Sequence, residues 1–119
     1  MTESNSPAAH SEPVITEVTD TVPRFFRVSV DGERAGLTSY VDHGNQRIFF
    51  HTEVDDRFAG RGLAGRLIGA ALQQTRAAGK RIVPICPFVA GYLQKHHDYD
   101  DIVDPVTPGA RAAVDSALG

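Results

Sequence analysis

Residues 57–72, RFAGRGLAGRLIGAAL, place Gly60, Gly62 and Gly65 directly ahead of an apolar, alanine-rich run. Glycines at the start of a helix let backbone N–H groups come close to an anion, and the helix terminus adds partial positive charge. The stretch therefore has the composition of a phosphate cradle, with Arg57, Arg61 and Arg66 available for charge-assisted hydrogen bonds. It supports two readings. Gly60, Gly62 and Gly65 spell GxGxxG, the dinucleotide fingerprint. Arg57, Gly60 and Gly62 spell a different phosphate-binding pattern, R-x-x-G-x-G.

Other residues carry chemistry of their own. Cys86 is the single cysteine. It ends a short apolar segment, RIVPIC, and Pro87 follows it at the first position of a predicted helix. A thiol near a helix N-terminus is favoured as thiolate, although most free cysteines are small buried hydrophobes. Glu53 and His51 lie in the segment RIFFHTEV. Tyr92, four residues after Phe88, is either a proton donor or part of a shared apolar face. His96 and His97 have no partner cluster at ligand spacing, so no metal is expected; His96 is placed to pack on Tyr99.

Positioning these residues requires a sheet and at least one long helix. RFFRVSV and ERAGLTSYV flank Asp31–Gly32, a two-residue hairpin signal. A second turn, DHGNQ, leads into RIFFHTEV, with VITEV as a preceding edge strand. Strict alternation puts Ile48, Phe50, Thr52 and Val54 on one face and Phe49, His51 and Glu53 on the other. Leu63, Leu67 and Ala71, with Ile68 and Leu72 beside them, have helical spacing, and Gly79 is the stop. RIVPIC is a strand and FVAGYLQKH a short helix. A last short strand is expected around Ile102, and Thr107–Pro108 is able to cap a terminal helix through Leu118. The fold class is α+β: a small mixed sheet, antiparallel hairpin strands followed by one right-handed β-α-β crossover and a short helix. The expected organisation is a disordered tail over 1–13, a domain over 14–104 and a C-terminal tail over 105–119.

Composition narrows the function classes. The 119 residues are 41% hydrophobic and 23% charged, with a net charge of −3, an ordinary globular balance. Nothing in that charge favours nucleic acid or an anionic membrane. One cysteine excludes an internal disulfide and fits a reducing compartment. The N-terminal residues lack both a basic start and an apolar stretch, so no secretory signal is expected, and the reading is a cytoplasmic protein. An exposed edge strand allows a monomer or a weak homodimer.

The spacing decides between the two glycine readings. The dinucleotide fingerprint needs its first glycine almost directly after a strand, whereas five residues, Asp55 to Ala59, separate Val54 from Gly60. One crossover and three hairpin strands also cannot make two mononucleotide-binding halves. A nucleoside triphosphate loop fails because Arg66–Leu67 follows Gly65 where Lys–Ser/Thr is required.

The remaining pattern, a strand ending at Val54, a short polar loop, then Arg57-x-x-Gly60-x-Gly62-Leu63-Ala64 opening a helix, resembles the coenzyme A loop of the GNAT superfamily of N-acetyltransferases. Thr52-Glu53-Val54, the Gly60–Ala64 loop, Pro84 to Val89 and His96 to Tyr99 together resemble its short, YjdJ-type branch over about residues 24–103. The resemblance implies binding of acetyl-CoA and acetyl transfer to a primary amine on a protein or small molecule. It implies that Thr52, Val54, Arg57, Gly60, Arg61, Gly62, Leu63, Ala64 and Cys86 meet the cofactor. Glu53, with His51 as a weaker candidate, would be the base; Tyr92 would protonate the departing thiolate; and Cys86 would lie near the thioester, as a hydrogen-bond partner or as a nucleophile. As in that branch, no helices follow the first strand to wall an acceptor site. The alternative reading is a non-catalytic module that binds acyl-CoA or recruits a partner.

Overall fold

A computed structural model describes residues 12–119; the tail expected over 1–13 falls, apart from Glu12 and Pro13, outside the described residues. Five strands form one sheet in the order β1-β2-β3-β4-β5. They are β1 (Val14–Val18), β2 (Arg24–Val30), β3 (Glu33–His43), β4 (Gln46–Val54) and β5 (Arg81–Pro84). The first four are antiparallel in sequence, and β4 pairs in parallel with β5. The helices are α1 (Leu63–Ala77), α2 (Pro87–Lys95) and α3 (Pro108–Leu118). The mixed α+β sheet with its β-α-β crossover is the architecture the sequence predicts.

The local reasons are those of the sequence. Asp31 and Gly32 both take positive φ, 53° and 82°, which closes a two-residue hairpin without splaying its strands. Leu63, Leu67, Ile68, Ala71 and Leu72 are all buried, and they rest on Phe26, Val28, Val30, Tyr40 and Phe49 of the sheet. Each such Leu or Ile contributes about 1.5–3 kcal/mol by leaving water. β5 stops at Pro84, which has no N–H to continue a ladder.

Three expectations are corrected. The alternation in β4 is broken by a register shift: Ser39 pairs His51 while Tyr40 pairs Phe49, leaving Phe50 as an extra residue. Such a bulge reverses the faces beyond it. Phe49 therefore joins Thr52 and Val54 on the α1 side. His51 and Glu53 instead face away from α1, with Ile48. Around Ile102 there is a short 3-10 turn, Asp100–Ile102, and a single bridge from Val103 to Ile82 in place of a strand. Asp104 donates its N–H to Ile82, and Pro105 then ends the pairing. His96 stacks on Tyr92, with ring centroids 4.2 Å apart, and not on Tyr99.

The terminal helix is formed and docked. Thr107 accepts a hydrogen bond from the Ala110 N–H at 3.1 Å, a standard N-cap. Ala110 and Val114 pack with Ile48 and Val83 on the sheet face opposite α1. Among the described residues no helix is long and apolar enough to cross a membrane.

Candidate functional site

The parallel pair β4–β5 holds together only from Gln46–Arg81 to Phe49–Pro84. Beyond it the chain turns away: the Cys86 N–H donates to the Phe49 carbonyl at 3.0 Å, and α2 begins. From Phe50 to Val54, β4 keeps β3 on one side and, among the described residues, has no strand on the other. Backbone polar groups must find a partner or water, so this bare edge is a natural place for a ligand to hydrogen-bond.

At the end of that edge the chain forms one turn of 3-10 helix, Asp56–Phe58, capped by Asp55, whose side chain accepts from the Arg57 N–H at 3.0 Å. Phe58 is buried and carries the guanidinium groups of Arg57 and Arg61, each 5.2 Å from its ring centre. Gly60 and Gly62 follow with φ of 81° and 72°, a region that side chains rarely tolerate. A Cβ at either would meet nothing within 4 Å. The glycines thus serve the backbone path and leave open space above it. Gly62 is the N-cap of α1 and has no side chain to cap with, so the first N–H groups of a 15-residue helix face that space unsatisfied by any side chain. The residues present fit a pyrophosphate.

The three arginines are not equivalent. Arg57 is held by Glu33 at 3.2 Å and Asp55 at 3.3 Å, and the Asp55 hydrogen bonds hold its pKa above the ordinary value. Arg66 lies 3.8 Å from Glu12. Arg61 has no carboxylate partner among the described residues, and it is the guanidinium most available to an incoming anion.

Two grooves continue from the cradle. One, of about 320 Å³, is lined by Val54, Phe58, Gly60, Gly62, Ala64 and Phe88. The other, of about 400 Å³, runs between α1 and α2 past Ala64, Ile68, Phe88, Tyr92 and His96. Phe88 borders both and is 49% exposed. The sequence offered it only as a core neighbour of Tyr92; the signal that it belongs to the site is its position directly after Pro87, at the mouth of the splay.

The predicted cofactor residues Thr52, Val54, Arg57, Gly60, Arg61, Gly62, Leu63 and Ala64 gather around the end of β4 and the start of α1. Cys86 joins them from α2, where it is the N-cap. Its thiol is 2% exposed and donates to Thr52 Oγ1 at 3.1 Å; Thr52 Oγ1 lies 2.8 Å from Thr38 Oγ1. That chain of three polar side chains in the core was not legible, because Thr38 is remote in sequence.

The three predicted catalytic groups stand apart. Glu53 is about half exposed on the far face, 2.8 Å from His51 Nε2 and 3.6 Å from Arg34. Tyr92 lies across α1: a Cβ at Gly69 would sit 2.9 Å from its hydroxyl. Burial, then the nearby Tyr99 and Asp98, raises the Tyr92 pKa. No hydrogen bond among the described residues joins Tyr92, Cys86 and Glu53. No group of three or more His, Cys, Asp or Glu among the described residues is arranged to hold a metal.

A family model for GCN5-related N-acetyl-transferases matches residues 25–102, from β2 through the turn that follows α2. The chain belongs to the GCN5-related N-acetyl-transferase family. No curated protein matches the chain. Membership places an acyltransferase domain on this scaffold, and the match spans both the glycine cradle and the splayed strands.

Proposed function

We propose that the chain is an N-acetyltransferase that takes its acetyl group from acetyl-CoA and passes it to a primary amine, in the short YjdJ-type branch of the family. The observation that carries the reading is the continuity of one surface: an uncapped helix N-terminus with two open left-handed glycines, then a strand edge without a neighbour among the described residues, with Cys86 buried just behind it. Phosphate contacts fall to the backbone around Gly60–Ala64 and to Arg61. The edge of β4 from Phe50 to Val54 takes the hydrogen bonds of the pantetheine arm, and its N–H groups polarise the thioester carbonyl as an oxyanion hole does.

Acetyl-CoA supplies, when bound, the activated acyl group. An acceptor amine of the lysine type has a pKa of about 10.4 and must lose a proton before it attacks. Glu53, oriented by His51, accepts that proton directly or through water, and the amine attacks without a covalent enzyme intermediate. Tyr92, kept protonated by its burial, is the proton source for the departing sulfur. Cys86, whose proton is engaged by Thr52, is assigned to contact with the cofactor.

The test is release of free thiol from acetyl-CoA in the presence of a panel of amines. Turnover is expected, and Glu53→Gln should lower kcat by about 10²-fold or more while CoA affinity is unchanged. CoA binding with no thiol release for any amine would instead support the non-catalytic acyl-CoA module.

A further inference from the structure

The sheet face that carries Glu53 is only partly covered. α3 packs over Ile48 and Val83, at the end of β4 where β5 is still paired. α3 also reaches β3 and Ser39 is buried, whereas on the rest of that face Thr16, His51 and Glu53 are exposed and Arg27 and Leu37 between them are half-buried. The register aligns its residues in rows: Arg27 pairs with Leu37 and Leu37 with Glu53, while Phe25 pairs with Ser39 and Ser39 with His51. Cross-strand partners point to the same side, so Arg27 and Glu53 share a face, two strands apart, with Leu37 between them. Their neighbours on the opposite side of the sheet, Phe26 and Val28, are buried under α1, which fixes which face this is.

Arg27 is unusual there. Its Nε is buried and has no hydrogen-bond partner among the described residues. The rest of this half-buried guanidinium has no carboxylate partner among the described residues. A hydrogen bond to a charged group is worth more than a neutral one, so it is the part that an incoming carboxylate would meet. Arg34, near Glu53, adds a second positive charge, while Glu53 is the acid that would meet an ammonium.

We infer that this partly open face is the acceptor platform and that it selects a polypeptide segment whose amine lies close to an acidic residue, with Arg27 as the specificity-determining group. The inference rests on the acetyltransferase reading above. Adjacent strands are about 4.8 Å apart, so Arg27 and Glu53 stand about 9.5 Å apart across the sheet, and an extended peptide covers that span in about three residues. The acidic residue therefore belongs two or three positions from the acetylated lysine. The hollow beside Glu53, lined by Arg34, Gly36 and Asp55, holds only about 80 Å³, well short of the roughly 300 Å³ at which small-molecule sites begin, and the rows of side chains next to it suit an extended chain better. The amine at Glu53 reaches the α1 side around the edge of β4, where no strand among the described residues blocks the way.

The experiment compares short peptides with one free lysine amine, carrying Glu or Arg two and three positions away, alongside small polyamines. Thiol release is followed with the intact protein, Arg27→Gln and Arg27→Lys, and CoA binding is measured for each by calorimetry. The expected result is a preference of about tenfold in kcat/KM for the acidic peptide, the size of one charge-assisted contact, carried mainly by KM. Arg27→Gln should abolish the preference and Arg27→Lys retain most of it, with CoA affinity unchanged in both. Equal use of the two peptides, preference for the basic one, a preference that survives Arg27→Gln, or turnover of polyamines without peptides would each overturn the inference. Absence of CoA binding by the intact protein would instead remove the acetyltransferase reading beneath it.

Discussion

The two halves of β4 differ in what surrounds them. Its first half, Gln46 to Phe49, has β3 on one side and β5 on the other, and its side chains are closed in. Arg47 is 5% exposed; its guanidinium lies 4.3 Å above the Tyr40 ring and binds Asp42 in a fork at 2.8 and 3.1 Å. The Tyr40 hydroxyl donates to Glu17, and burial followed by that bond pushes the phenol well above its ordinary pKa. The second half, Phe50 to Val54, has one strand neighbour, a bulge at its start and exposed His51 and Glu53. One strand is thus a pillar at one end and a one-sided edge, the proposed ligand edge, at the other. Stability and binding should be separable along it by mutation.

The largest effect is expected at the closed end. Arg47→Ala removes a buried guanidinium together with its stacking on Tyr40 and its bonds to the partly buried Asp42 and Glu17, leaving Asp42 only Arg24 at 3.9 Å. A loss of about 3 kcal/mol, the low end for breaking a buried pair from one side, is expected. Chemical denaturation should show that loss while CoA affinity stays within about twofold for the folded fraction. A large loss of affinity at matched folding would erase the distinction between the halves. At the open end, Phe88→Ala is expected to reverse the pattern. Its exposed ring borders both grooves, so CoA should bind about tenfold more weakly, the equivalent of about 1.4 kcal/mol, with a midpoint of unfolding almost unchanged. Thr52→Val lies between the two. It removes the acceptor of the Cys86 thiol and the partner of Thr38, and a loss of about 1–2 kcal/mol follows from leaving those groups unpaired.

The smallest effect concerns pH. Asp104 accepts from Gln46 at 2.8 Å and from Arg81 at 2.7 Å, and these bonds, Gln46 first, hold its carboxyl below the ordinary range. A depressed folded pKa gives stability that is present above the unfolded value of about 3.9 and is lost as pH falls below it. Asp104→Asn should therefore be less stable than the parent at pH 7, and the difference should shrink in denaturation curves taken below about pH 4. A difference that persists unchanged into acid would mean that the carboxylate charge is not what Arg81 and Gln46 hold.

Local chemistry made much of this molecule readable from the chain. Asp31–Gly32, the apolar spacing from Leu63 to Leu72 and the stop at Gly79 each act within a few residues, and each gave its element correctly. The loop proposed as a phosphate cradle was legible as backbone for the same reason, since Gly60, Gly62 and the first turn of α1 are neighbours in sequence. What pairing decides was not. The bulge at Phe50 exists only relative to Ser39 and Tyr40, and it moved Glu53 and His51 to the face opposite Phe49. The docking of α3 depends on Ile48 and Val83 being bare on one side, which no pattern within Pro108–Leu118 records. Phe88 looked like core beside Tyr92, because helical spacing reports a shared face and not whether that face is covered.

The central claim is that the β4–α1 loop holds the pyrophosphate of coenzyme A. Calorimetric titration of CoA and acetyl-CoA into the intact protein and into Gly62→Glu tests it most directly. The variant puts a carboxylate and a Cβ at a left-handed N-cap, so one-to-one binding to the intact protein and a loss of about 10²-fold or more in the variant are expected, since like charges at a desolvated anion site cost several kcal/mol. Equal binding by the two proteins, or none by the intact one, would contradict it.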